Sequence, residues 1–292
     1  MQVPRAEHEV TSEVVRQLLA DQHADLASRP IEFLAEGFDT TLWHLGDDLL
    51  VRLPRRAEAE DGMRNEQRWL GTIAPLLPLP ISAPVRVGKP GAGFPFVWSV
   101  VPYLRGDPLL GGPALDGARA APTLGRFLRA LHVDAPPDAP TSHLRGTPIE
   151  ARHPTFAERV GALDRSDAKA ATTVWDEARD AAVHGGPACW VHGDLHAGNV
   201  LAAHGDVVGV LDFIDLNAGD PATDLASVWL LLEDDAVTVA LDAYGGADDD
   251  LRARARGWAV LFSVFFVSLG HGGREDYGTE GARMLRRVLG AR

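Results

Sequence analysis

Residues 190–201 read WVHGDLHAGNVL, and residues 202–213 continue as AAHGDVVGVLDF. The apolar runs NVLAA and VVGVL flank the turn-forming HGD at 204–206, which predicts a two-stranded hairpin. A polar loop, HGDLHAGN, leads into the first strand, and Asp212 ends the second. Two chemistries compete for this stretch. On a true strand His192, Asp194 and His196 would alternate onto one face and could bind zinc for hydrolysis. Gly193 and Gly198 favour a loop instead, and no second cluster of His, Cys or Asp completes such a site. Phosphoryl transfer needs a carboxylate to orient the acceptor hydroxyl and oxygen ligands that hold magnesium against the phosphates. Asp194 supplies the first. Asn199 and Asp212, at the ends of neighbouring strands, supply the second.

Beyond the hairpin, NAGDPATDLASVWLLL (217–232) predicts a helix with Asp220 as its cap and Pro221 at its first position. Asp220 is therefore read as structural. Asp224 stands in the first turn of an apolar helix, where a carboxylate is either solvated or paired. Residues 106–117 read as a loop, and residues 118–182 are mostly helical around a polar, Pro-rich surface loop, APPDAPTSHLRGTPIEARHP (135–154). The chain is helical again after 221. WAVLFSVFFVSLG (258–270) is too short an apolar run to span a bilayer and reads as a buried helix.

The first third differs. A capped helix over 11–28 precedes two apolar runs around EGFDTT and LGDD, read as antiparallel strands, and a helix over 57–74. VRVG and FPFVWSVVPYL form two further strands around KPGAG. A strand-rich segment thus precedes a helix-rich one, with the change near Gly106. A nucleotide-binding lobe needs a turn over the phosphates, a cation on the adjoining strand and an acid on the next helix. EGFDTT, with Gly37 and Thr40, offers the turn, Arg52 the cation and Glu66 its partner. The turn lacks a full G-x-G-x-x-G pattern, and Arg52 stands where a kinase carries Lys.

Forty-one acidic side chains against 28 basic ones give a net charge of −13. That charge excludes binding to nucleic acid through phosphates and to anionic membranes, and it favours a cationic small molecule. One cysteine, Cys189, cannot form an internal disulfide, and the N-terminus has neither the basic start nor the apolar run of a leader; both point to the cytoplasm. No internal repeat or low-complexity tract is present.

HGDLHAGN followed by VLDF resembles the catalytic and metal-binding loops of the aminoglycoside phosphotransferase family, relatives of the protein kinases. The resemblance extends from about Glu32 to Leu232 and implies an α+β, bilobal protein-kinase-like fold. Residues 1–105 would form an N-terminal antiparallel-sheet lobe with the hinge, and residues 106–292 a helical lobe with the catalytic hairpin. It implies Asp194 as catalytic base and Asn199 and Asp212 as ligands of magnesium, with ATP or GTP as phosphate donor. His192 would hydrogen-bond the loop backbone, and Asp224 would be a buried support of that loop. His196 falls where many protein kinases place a phosphate-contacting Lys, and so would reach the transferred phosphate. In the hinge, backbone groups of Val101 and Tyr103 would read the adenine edge, since Pro102 has no N–H. The acceptor would be a hydroxyl on an antibiotic such as an aminoglycoside or macrolide, with Glu233, Asp234, Asp235, Glu275 and Asp276 lining its pocket. A metabolic kinase acting on a choline-, homoserine- or sugar-like compound shares every catalytic residue. A metallohydrolase and a catalytically dead nucleotide-binding module are the remaining readings, and the presence of Asp194, Asn199 and Asp212 argues against the last.

Overall fold

The structure is a computed structural model and describes residues 5–290; the first four residues of the N-terminal stretch read for a leader lie outside that range. Helix α1 (Ser12–Gln22) is capped by Thr11, whose hydroxyl accepts the Val14 N–H. It ends earlier than its periodicity suggests, in a turn over residues 24–29. Strands β1 (Ile31–Glu36), β2 (Thr40–Leu45) and β3 (Leu49–Pro54) follow, then α2 (Glu60–Ile73), β4 (Arg86–Gly88) and β5 (Trp98–Pro102). They form one antiparallel sheet in the order β1-β2-β3-β5-β4. Alternate apolar residues of the strands (Trp43, Leu45, Val51, Leu53, Trp98 and Val100) meet Val15, Leu18 and Leu19 of α1 in a small core. Helix α2 belongs to both halves. Its Met63 accepts a contact from Ser99 of β5, while Leu70 and Ile73 enter the larger core. Gly62 lets the same helix press on Ile214, where an added Cβ would stand 2.5 Å from the carbonyl oxygen.

The second part begins with a two-residue strand, β6 (Asp107–Pro108), and continues through α3 (Gly117–Leu131), α4 (His153–Arg159), α5 (Arg165–Asp180) and β7 (Cys189–Val191). Strands β8 (Val200–Ala203) and β9 (Asp206–Val210) form the expected hairpin. His204 and Gly205 at its turn both have positive φ, 53° and 79°, as a tight two-residue connection requires. After β10 (Asn217–Gly219) the chain is helical: α6 (Ala222–Leu225), α7 (Ser227–Leu231), α8 (Asp234–Tyr244), α9 (Asp249–His271) and α10 (Glu275–Leu289). Helix α9 is long and apolar enough to cross a membrane by length and composition, yet it packs between α5, α6 and α10 and 67% of its apolar window is buried.

Three local expectations change. The segment after Gly106 is not free loop, because β6 pairs with β8. The helix expected over 221–232 is two short helices divided at Ala226. Residues 135–154 are not a free surface loop. Pro140 accepts the Ala218 N–H, and Gly146 accepts the Asp220 N–H, both at 2.8 Å. Gly146 lies so close to Gly219 of β10 that a Cβ on either would collide.

Candidate active site

Asn199, just before β8, and Asp212, just after β9, lie side by side at the open end of the hairpin, where the Leu211 N–H donates to the Asn199 carbonyl at 2.9 Å. Asp212 adopts a left-handed backbone (φ 59°), a conformation that Asp tolerates better than most residues. Its Oδ1 accepts from Arg52 Nη2 at 2.9 Å, while Arg52 Nη1 donates to both Glu66 oxygens at 3.0 and 3.1 Å. A continuous chain of charge therefore runs from α2 through β3 to the hairpin. Glu66 and Arg52 are buried, and Asp212 is 40% exposed. Burial pushes the Glu66 carboxyl up, against the pull of Arg52. Asp212 Oδ2 and Asn199 Oδ1 have no protein hydrogen bond among the described residues. Such a pair of hard oxygen donors fits magnesium, which takes one or two protein ligands and completes its shell with phosphate and water.

Asp194 is held from both sides. Arg145 Nη2 donates to Oδ1 at 2.8 Å, and His196 Nε2 lies 3.1 Å from Oδ2. Because His196 Nδ1 accepts the Gly198 N–H at 3.0 Å, its proton sits on Nε2 and points at Asp194. Burial pushes the Asp194 carboxyl up, but His196 and Arg145 outweigh it and hold the group well below the usual carboxylate range. Asn199 Nδ2 donates to the Asp194 carbonyl at 2.9 Å. His192, fully buried, accepts the Asp194 N–H through Nδ1 and donates through Nε2 to the Leu211 carbonyl at 2.8 Å. Asp224, also fully buried, accepts the N–H groups of His192 and Gly193 at 2.5 and 2.8 Å. Neither imidazole keeps a free lone pair, and β7 ends at Val191, so the three residues do not share a strand face. Among the described residues no group of three His, Cys, Asp or Glu is arranged to hold a metal ion. The donor set excludes the zinc arrangement.

The sequence pattern of the phosphotransferase enzyme family matches residues 30–258, most of the chain. The chain belongs to that family. Among solved structures it is similar to the GDP and kanamycin complex of APH(2")-IIia (TM-score 0.70, 19% identity, 94% of this chain and 97% of that one). It is similar to a GDP complex of wild-type aminoglycoside 2'-phosphotransferase-IIIa (0.69, 18%, 96% and 99%). It is also similar to the macrolide 2'-phosphotransferase MphH of Brachybacterium faecium, as apoenzyme (0.57, 22%, 94% and 97%). A search of curated proteins finds no match. The protein has the bilobal kinase-like fold and is a kinase-type enzyme.

In this phosphotransferase Gly37 and Thr40 close the β1–β2 turn, the Gly37 N–H donating to the Thr40 carbonyl at 2.8 Å. Two arginines that the sequence left unread brace that turn: Arg55 holds Glu36 and the Gly37 carbonyl, and Arg56 holds Asp39. Burial and then the Asp212 charge push the Asp39 carboxyl up. At the hinge the Tyr103 N–H is committed to the Asp48 carbonyl at 2.8 Å, so it is not the donor expected for adenine, and Val101 lies within the β3–β5 ladder opposite Leu50. Glu233 and Asp234 line an open cavity of about 830 Å³ together with Arg283, Arg286 and Arg287, and the cavity reaches the catalytic loop at Ala197. Asp235, Glu275 and Asp276 are exposed and do not line it. His196 faces the Asp194 carboxylate, the partner its tautomer selects in place of a phosphate.

Two site residues escaped the sequence reading. Arg145 sits in the Pro-rich segment, positioned by Ser142, whose hydroxyl accepts the Leu144 and Arg145 N–H groups, and by the left-handed Gly146 (φ 64°) against β10. Asp215 stands 3.8 Å from Arg145 Nε, and burial followed by the Asp194 charge pushes its carboxyl up to about 6. The SHLRG motif carries no periodic signal, and Asp215 was hidden as one more acid behind Asp212.

Proposed function

We propose that this enzyme transfers the γ-phosphate of ATP or GTP to a hydroxyl of a small molecule, in the cleft between residues 1–105 and 106–292. The observation that carries the reading is the convergence of Asp194, Asn199 and Asp212 on one hairpin, joined through Arg52 to Glu66. Arg52 supplies a fixed planar cation beside the phosphates, and Glu66 keeps it from swinging away. Asn199 and Asp212 would hold magnesium, which neutralises phosphate charge. Asp194 receives the acceptor hydroxyl. Two partners depress its basicity, so it orients the hydroxyl first and takes the proton as the new P–O bond forms, as a loose transition state allows. His196 and Arg145 fix the direction of its lone pairs, and the Asp224–His192 scaffold fixes its backbone.

Two acceptor classes fit this chemistry: an antibiotic such as an aminoglycoside or macrolide, and a metabolic alcohol related to choline, homoserine or a sugar. The net charge of −13 supports a cation in bulk. Arg145 beside Asp194 is a cation and disfavours a cationic acceptor of either class. A coupled assay with both donors over aminoglycosides, macrolides and simple alcohols tests the transfer. Asp194→Asn should lower turnover by about 10²- to 10⁴-fold with an unchanged melting temperature. Undiminished turnover in that variant would remove Asp194 from the reaction.

A further inference from the structure

Arginines gather on the acceptor side of Asp194 without the carboxylates that normally accompany them. Arg152 closes a 3-10 turn (Ile149–Arg152) directly before α4, and Arg159 ends α4, so the two flank one short helix. Neither makes a hydrogen bond or lies within 4 Å of a carboxylate among the described residues, although both are part-buried. The Nε atoms of Arg145, Arg152 and Arg159 are all buried and without a partner. Arg145 and Arg159 are close enough to Arg152 that burial and their like charges push its guanidinium down. A cluster of like charges this poorly satisfied costs stability unless something completes it.

The cluster is tied to the catalytic loop through one face of α9. Arg145 lies 4.9 Å over the ring of Phe262, and Arg159 lies 4.9 Å over that of Phe265. Phe266, the next residue, meets His196 edge-on at 4.8 Å, and His196 holds Asp194. The carboxylates on this wall, Asp194 and Asp215, both lean on Arg145, leaving Arg152 and Arg159 free. The paired anions are thus already used by one arginine, and two guanidinium forks remain for a ligand.

We propose that the acceptor is an anion: a hydroxyl compound whose carboxylate or phosphate ester is bound by Arg152 and Arg159, with Arg145 bridging that group to Asp194. Guanidinium forks match both kinds of oxyanion, and a bound anion would complete the unpaired donors. The assignment rests on the phosphotransferase reading above and names its substrate class. Acceptor binding then orders the reaction: the anion fixes one end of the molecule on α4, and its hydroxyl is carried to Asp194.

The experiment uses the full chain with Mg-ATP and Mg-GTP and matched acceptors: glycerate and glycerol 3-phosphate beside glycerol, gluconate and glucose 6-phosphate beside glucose, and kanamycin. Phosphate transfer and competitive inhibition are both read. An anionic member should exceed its uncharged parent by about 100-fold in kcat/KM, or in inhibition constant, as two charge-assisted contacts imply. The carboxylate and phosphate arms separate the two sources of the oxyanion. Arg152→Gln/Arg159→Gln should abolish the preference, and Arg152→Lys/Arg159→Lys should restore part of it. A preference for kanamycin or for the uncharged parents, no preference across the whole panel, or a preference that survives the Gln pair overturns the assignment. Nucleotide binding is followed separately by thermal shift with each donor, and its loss would count against the phosphotransferase reading itself.

Discussion

The two sides of Asp194 treat charge in opposite ways. On the nucleotide side every ion has a protein partner: Glu66 holds Arg52, Arg52 holds Asp212, and Arg55 and Arg56 hold the acids of the overhanging turn. On the acceptor side Arg152 and Arg159 have none among the described residues, and Arg145 alone serves two carboxylates. The first side is complete before any ligand arrives, which suits a donor whose phosphates are always the same. The second is incomplete, which under the proposal leaves the choice of acceptor to a few side chains flanking a short helix.

The largest test of this contrast is Glu66→Ala. It leaves Arg52 buried against Asp212 alone, and stability should fall by about 3–5 kcal/mol in denaturant unfolding. A loss below about 1 kcal/mol would mean that the chain is not held as a unit. Next in size is Gly62→Ala, whose new methyl meets the Ile214 carbonyl; about 1–3 kcal/mol of destabilisation is expected, with a higher KM for the nucleotide. An unchanged KM would separate α2 from the hairpin. Arg145→Gln acts on the other side. Removing one of the two groups that hold Asp194 should cost roughly 10- to 100-fold in kcat/KM, measured beside an unaltered melting temperature. Equal losses of stability and activity would reduce Arg145 to a packing role.

The smallest effect concerns Asp215. Its folded-state value of about 6 lies above the ordinary carboxylate value of roughly 4, so its contribution to stability is full below about pH 4 and is lost as pH rises through 6. Asp215→Asn removes that loss. The variant should gain melting temperature over the parent between pH 4 and 7, and parallel curves would break the assignment.

The same contrast governs what could be read from the sequence. The nucleotide side is built from local patterns, with alternating strands, a two-residue turn and fixed spacings between Asp194, Asn199 and Asp212, and these were legible. Arg52 and Glu66 could be paired because strand and helix follow in order. Arg145 could not, since its position depends on Gly146 meeting Gly219, residues 73 apart whose contact no local period records. Strands β6 and β10 were missed for a related reason: two or three residues carry no alternation, and their partners come from distant segments. The acidic composition, which favours a cationic acceptor, is a sum over the whole surface and does not record the arginines beside Asp194.

The hydrogen bonds of Asp224 give the catalytic loop a fixed origin. Asp194, the proposed base, hangs from α6 through His192 and Gly193, and its other supports, His196, Asn199 and Arg145, all come from the second part of the chain. Asp212, by contrast, is roped to Arg52 in the first part. Any displacement of the sheet lobe therefore pulls on Asp212 and leaves Asp194 where it was. In alignment terms, under the proposed roles the acceptor hydroxyl is the stationary mark, and the phosphate is the part that is brought into line.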